Sequence, residues 1–239
     1  MRKFKEYLVG GAVRDEILGV HSKDLDYVFV FEALDENQTT EECFKDMFDV
    51  INQRGEIFLS TSSCYTIRYK DRITKEIKDV VLARKEIGYV PNTRTPIVKP
   101  GTLYDDLERR DFTLNALAKD EDGTIIDYFN GMEDLKNGIL RTPLQTKVTF
   151  NDDPLRILRA IRFSITKGFT IPPMMALTME SYNYEDKMGV VSVERIREEL
   201  LKCFKHDTLE TLKVLNEFPT LRNYVFKNNI LWLKPTMEQ

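Results

Sequence analysis

The chain has 239 residues, 42% of them hydrophobic and 31% charged, with a formal net charge of -4. That length allows one large domain or two small ones around a real hydrophobic core, and the composition excludes wholesale disorder. The longest apolar run, residues 27–31, falls far short of the ~20 residues that cross a bilayer, and the basic start of the chain has no apolar stretch of signal-peptide length, so no membrane role is expected.

Residues 5–9 read as a strand that stops at Gly10-Gly11, and 13–18 as a short helix ending at Gly19. Residues 25–31, rich in Val, Phe and Tyr, read as a second strand. Phe44, Met47, Phe48 and Ile51 recur at helical spacing over 40–52. Further strands are expected at 57–59, 64–69 and 77–83. Residues 88–102 contain Gly88, Pro91, Pro96, Pro100 and Gly101 and read as a loop without regular structure. After residue 141 strand signals nearly vanish, and 153–165, 174–181, 193–204 and 208–218 carry helical periodicity. The expected class is therefore α+β, a mixed α/β first part followed by an all-helical second part.

Cys43, Cys64 and Cys203 lie far apart with no CxxC, which argues against a disulfide scaffold or a thiolate zinc site and fits a reducing, cytoplasmic setting. Two histidines, His21 and His206, exclude a multi-histidine metal site. The charge is uneven: residues 1–140 hold 20 basic and 27 acidic residues, residues 141–239 hold 15 and 12. An acidic first part suits metal-binding carboxylates, and a mildly basic second part suits nucleic acid.

The most informative stretch is YLVGGAVRDEILGVHSKDLDYVFV, residues 7–30. Asp24 and Asp26 open an apolar strand two residues apart, so both carboxylates point the same way. Such like charges repel unless a divalent cation lies between them, and Mg²⁺ takes carboxylates together with substrate phosphates. The alternative is that the pair only caps a turn. Gly10-Gly11 sits between a strand and a helix start, where backbone N–H groups can converge on an anion, and Arg14 follows within reach of a phosphate. Strand, glycine turn, helix and carboxylate pair together make a plausible triphosphate and Mg²⁺ site.

GGAVRD…KDLDYVFV resembles the first motif of the class II nucleotidyltransferases, the polymerase β-like family of tRNA CCA-adding enzymes and bacterial poly(A) polymerases. RRDFTLNAL at 109–117, DYFNGMEDL at 127–135, DDPLRILRAIRF at 152–163 and ERIREEL at 194–200 resemble its second to fifth motifs, in the family's order, over roughly residues 7–225. The resemblance implies a nucleotidyltransferase head with a mixed sheet at 1–140, an all-helical neck that selects the nucleotide at 141–205, and the start of a truncated, RNA-binding helical body at 206–239.

It also implies roles. Asp24 and Asp26, on an edge of the first sheet, would hold Mg²⁺; Asp79 would be the third catalytic carboxylate, helping to deprotonate a 3′-hydroxyl. Gly10, Gly11 and Arg14 would contact the nucleotide phosphates, and Arg110 and Asn115 would be further nucleotide ligands, with Asp111 orienting its neighbours. The plain reading of 109–111 is a charge cluster at a helix start, capped by Asp111. Gly131 reads as a structural turn, and 88–102 as the family's mobile loop.

Asp153-Pro154 makes a good helix start. Arg156, Arg159 and Arg162 follow at intervals of three. A carboxylate only accepts hydrogen bonds and a guanidinium only donates, so an Asp153–Arg156 pair matches the pairing edges of cytosine and adenine and penalises uracil and guanine, at ~1–3 kcal/mol for each unpaired polar group. The family is described as using this protein template. Arg159 and Arg162 would support the nucleotide or its phosphates, or face solvent.

Asp152 stands where the family usually has Glu, which leaves that position without an assigned role. The chain is shorter than family members that continue into further helical body and tail regions, so its RNA-binding part is expected to be reduced, with a dimer partner or shorter acceptor stems as compensation. His206-Asp207 reads as a helix N-terminal region with no metal role. The resemblance implies a template-independent RNA nucleotidyltransferase that uses CTP, ATP and Mg²⁺ to add CCA, or part of it, to tRNA 3′ ends. A poly(A) polymerase-type adenylyltransferase and a catalytically silent RNA-binding module stay open as alternatives.

Overall fold

A computed structural model describes residues 3–22, 25–34, 37–91, 93 and 95–227. The chain folds as two compact units, one formed by residues 1–90, 95–136 and 142–144, the other by 91–94, 137–141 and 145–239.

The first unit is built on a seven-stranded mixed sheet. Its strands are β1 (Phe4–Val9), β2 (Asp26–Phe31), β3 (Gly55–Thr61), β4 (Thr66–Asp71), β5 (Ile77–Leu82), β8 (Leu117–Lys119) and β9 (Ile125–Asp127), in the order β3-β4-β5-β2-β1-β8-β9. β2 pairs antiparallel with β1 and parallel with β5. The strand that begins with Asp26 therefore lies in the middle of the sheet. This corrects the expectation of a sheet edge: the run 27–31 can only be buried with a neighbouring strand on each side and packing on both faces.

Alternation along these strands divides the core. Phe29, Phe31, Ile67, Tyr69, Val80 and Leu82 face one way, under α2 (Thr40–Arg54), which contributes Cys43, Phe44, Met47, Val50 and Ile51. Each such fully buried side chain contributes ~1.5–3 kcal/mol relative to exposure. A capping box, Thr39 with Glu42, starts α2 and adds ~1 kcal/mol. On the other face Val9, Val28, Val30 and Ala118 pack with Leu103 and Leu107 of α3 (Leu103–Glu108).

Residues 88–102 are not the expected loop. They belong largely to a hairpin of β6 (Arg84–Tyr89) and β7 (Pro96–Pro100). The two prolines sit at the ends of β7, where a missing N–H costs little, and Gly88 sits at a register shift in β6. Gly88, Pro96 and Pro100 thus occupy positions a strand tolerates, while Pro91 and Gly101 lie outside the two strands.

Gly131 opens α4 (Gly131–Asn137). A Cβ there would lie 2.1 Å from the Thr113 carbonyl oxygen, so only glycine permits this approach. Asp127 receives the N–H groups of Gly131 and Met132 at 2.8 and 2.9 Å.

The second unit is helical: α5 (Thr146–Asp152), α6 (Leu155–Lys167), α7 (Pro173–Glu180), α8 (Tyr184–Lys187), α9 (Val193–His206), α10 (Thr208–Glu217) and α11 (Pro219–Lys227). α6 buries Leu155, Leu158, Ile161 and Ile165 and packs against α9, which buries Ile196, Leu200 and Cys203. Asp207 caps α10, receiving the Glu210 N–H at 2.8 Å, while His206 ends α9. No described helix is long and apolar enough to cross a membrane.

Candidate active site

Asp26 is the first residue of β2 and is exposed. Its register partner on the parallel strand β5 is Asp79, whose N–H donates to the Leu25 carbonyl at 3.2 Å. Residues in register on adjacent strands share a face, so the two carboxylates stand side by side on one side of the sheet, while Tyr27 and Val80 turn to the other. Arg68 of β4 is the next register partner across the sheet. Its guanidinium grips Asp79 with both arms, Nε to Oδ1 at 2.8 Å and Nη2 to Oδ2 at 2.6 Å.

Asp24 lies outside the described residues. Among the described residues no group of three His, Cys, Asp or Glu side chains is placed to hold a metal ion. The donors that are described, two adjacent carboxylates with one exposed, are the hard oxygen ligands that Mg²⁺ takes.

The strand–glycine–helix turn follows β1. Gly10 has φ +72° and ψ -132°, a conformation essentially closed to other residues. Its N–H donates to the Leu117 carbonyl at 3.1 Å. A Cβ on Gly10 would lie 2.6 Å from Arg110 Nη1, so the Arg110 guanidinium rests directly against this turn. Gly11 begins α1 (Gly11–Ile17), whose first-turn N–H groups have no intrahelical acceptor.

Arg14 points inward. It is 7% exposed, and its guanidinium donates from Nη1 to Asn115 Oδ1 at 2.5 Å and from Nε and Nη2 to Asp15 Oδ1 at 3.0 and 2.8 Å. Asn115 in turn donates through Nδ2 to Asp111 Oδ1 at 2.9 Å, an oxygen that also receives the Phe112 N–H at 2.8 Å. Arg14, Asn115 and Asp111 thus form one buried relay that ties α1 to the segment after α3.

Arg109 and Arg110 follow the end of α3, which corrects the expected helix start capped by Asp111. Both donate to Asp106, whose carboxylate is fully buried: Arg109 Nη2 to Oδ1, and Arg110 Nη2 to Oδ2 at 2.9 Å. Burial alone would push the Asp106 carboxyl up, but the two guanidiniums outweigh it and hold it below the usual range. Glu86 lies 3.7 Å from Arg109 Nη1.

In the second unit, Asp153 Oδ1 receives the Leu155 N–H at 3.1 Å at the start of α6, and Arg156 Nη1 donates to the Thr149 carbonyl at 3.2 Å. Both side chains are half-buried. The Arg159 guanidinium lies 5.6 Å from the Phe163 ring centre. The Arg162 side chain is 17% exposed. Its Nε donates to Glu199 Oε2 at 2.5 Å, and Lys202 reaches Oε1 at 3.1 Å. Glu199 is 5% exposed, and although burial pushes its carboxyl up, Arg162 and Lys202 bring it below the ordinary range. Arg162 is a tie between α6 and α9.

Sequence reasoning missed Arg68, Asp106 and Glu199. Asp106 stands three and four residues before the two arginines, a spacing that signals one helical face. Arg68 carries no such signal, because cross-strand pairing depends on register.

Known proteins resemble the chain in sequence and in fold. A family model described as the poly A polymerase head domain matches residues 6–141. The chain is 35% identical over 200 residues to the CCA-adding enzyme of Lactobacillus johnsonii, covering 83% of this chain and 46% of that protein; it thus spans under half the length of this curated relative. Solved structures resemble it too, among them the following two. One is the Thermotoga maritima CCA-adding enzyme complexed with tRNA, with TM-score 0.71 and 26% identity over 98% of this chain and 50% of that one. The other is the Bacillus stearothermophilus CCA-adding enzyme in complex with CTP, with TM-score 0.68 and 30% identity over 85% and 45%.

Proposed function

The chain belongs to the poly(A) polymerase head family, and from that premise we propose that it is a template-independent RNA nucleotidyltransferase that adds C and A to tRNA 3′ ends from CTP and ATP. The observation that carries this reading is the in-register pair Asp26 and Asp79 on adjacent parallel strands of one sheet face, beside a strand–glycine–helix turn backed by Arg110. The relatives' names and the CTP and tRNA complexes of the similar structures support it.

In this reading residues 1–140 carry catalysis, 141–205 choose the nucleotide, and 206–239 contact RNA. Asp24 and Asp26 would hold Mg²⁺, which when bound supplies charge neutralisation for the triphosphate and the attacking oxygen. Asp79 accepts the proton of the RNA 3′-hydroxyl as that oxygen bonds to the α-phosphorus and pyrophosphate leaves. Gly10, Gly11 and Arg110 hold the phosphates. Arg14 acts from behind, fixing Asn115 through its short hydrogen bond so that a buried amide keeps one orientation. Asp153 and Arg156 read the pairing edge of the base, with Arg159 three residues further along α6. Free thiols at Cys43, Cys64 and Cys203 suit a cytoplasmic setting.

The test is incubation of the protein with Mg²⁺, all four nucleoside triphosphates and tRNA lacking its 3′ CCA, followed by sequencing of the products. Addition of C, A or CCA from CTP and ATP is expected. Long A tails on generic RNA would instead favour the poly(A) polymerase-type reading, and no extension of any RNA would leave a silent binding module.

A further inference from the structure

Leu59, Arg68, Asp79 and Asp26 are register partners across β3, β4, β5 and β2. They form one row on a single sheet face. The outer part of that face is open: Leu59 is 57% exposed, Ile77 is 55% exposed, and the Arg68 side chain is 51% exposed. Lys70, the partner of Ile77 in the next row, is also exposed. Two basic side chains on an accessible, partly apolar platform thus border the candidate carboxylates.

Arg68 occupies both oxygens of Asp79. A carboxylate gripped this way is a poor ligand for a cation and a poor hydrogen-bond acceptor for a hydroxyl, because its best lone pairs are engaged. A phosphodiester is the other anion that matches the planar fork of a guanidinium. We propose that Arg68 is a positioning residue that exchanges Asp79 for a phosphate of the acceptor RNA, releasing Asp79 to the metal and the 3′-hydroxyl only when RNA is on the platform. This inference rests on the nucleotidyltransferase reading above. By linkage, RNA binding must then strengthen metal binding, and metal must strengthen RNA binding by the same factor.

The experiment titrates Mn²⁺, a paramagnetic stand-in for Mg²⁺, into the full chain by electron paramagnetic resonance. It is done with and without a short single-stranded RNA ending in a 3′-deoxynucleotide, so that no turnover occurs. In the wild type, saturating RNA should tighten Mn²⁺ binding about fivefold, the scale of one partly exposed ion pair. Arg68→Gln should bind Mn²⁺ about fivefold tighter without RNA and gain nothing when RNA is added. Arg68→Lys, which keeps the charge but loses the fork, should fall between the two. The proposal is overturned if the RNA-induced gain survives in Arg68→Gln, or if that variant, folded by circular dichroism, binds Mn²⁺ more weakly. A wild type that binds no Mn²⁺ sensitive to Asp26→Asn would overturn the functional reading itself, and this inference with it.

Discussion

Arg14 and Asn115, 101 residues apart in the chain, meet through a 2.5 Å hydrogen bond in the interior of the first unit. Both are less than a tenth exposed, so neither can turn to water if the other is lost. Arg14→Met should cost ~3 kcal/mol in urea unfolding, because it takes a charged donor from the Asn115 carbonyl and from the Asp15 carboxylate. Asn115→Leu should cost a similar amount by leaving a buried guanidinium short of an acceptor. The double variant should be less unstable than the sum by ~1–3 kcal/mol, and strict additivity would show that the two side chains do not act together.

Asp106 makes the first unit acid-sensitive. Its carboxyl sits below the ordinary 3.8 in the folded chain. The stability it contributes is therefore present above pH 3.8 and is lost as pH falls through the lower, folded-state value. Asp106→Asn should unfold ~3–5 kcal/mol more easily at neutral pH, since it leaves two guanidiniums facing a neutral amide in a buried site. Its unfolding free energy should also decline less steeply below pH 4 than that of the wild type. Parallel acid slopes in the two proteins would count against the assignment.

Asp26 is exposed and begins its strand, so Asn at this position should leave stability within ~0.5 kcal/mol of the wild type. If the carboxylate holds the catalytic cation, incorporation of CTP should fall roughly a thousandfold, equivalent to ~4 kcal/mol of barrier. Single-turnover extension of truncated tRNA, read beside a thermal melt, checks both halves of this expectation.

The arginines of α6 should separate into two kinds. Asp153→Ala and Arg156→Ala should relax nucleotide choice, raising UTP or GTP incorporation relative to CTP by about tenfold, the value of one lost polar match. Arg162→Met should leave that ratio unchanged and cost ~2–4 kcal/mol of stability, because buried Glu199 loses its shortest ion pair. A change of selectivity in Arg162→Met with stability intact would reverse the distinction.

The strand–glycine–helix opening, the apolar strand of Asp26, the long helix under the sheet and the helical second part were all readable in advance, because each rests on local spacing. The hairpin of β6 and β7 was not, since Pro96 and Pro100 look like breakers until their place at the strand ends is known. Arg14 was read as a phosphate ligand, and Arg162 as a cation that supports the nucleotide or faces solvent, with no sign of the partners they have in the fold. A guanidinium three or four residues along a helix gives no hint that a buried Asn115 or Glu199 waits in another element.

What the linear order of residues determined by itself is the set of elements and the chemistry of each motif: periodicity, capping and glycine or proline placement act over a few residues and need no partner. What the tertiary structure decided is which charges meet. Asp26 beside Asp79, Arg68 across Asp79, and Arg162 against Glu199 follow from strand register and helix packing. Burial turns such meetings into strong constraints, because removing water makes an unpaired charge costly and fixes the partner that neutralises it.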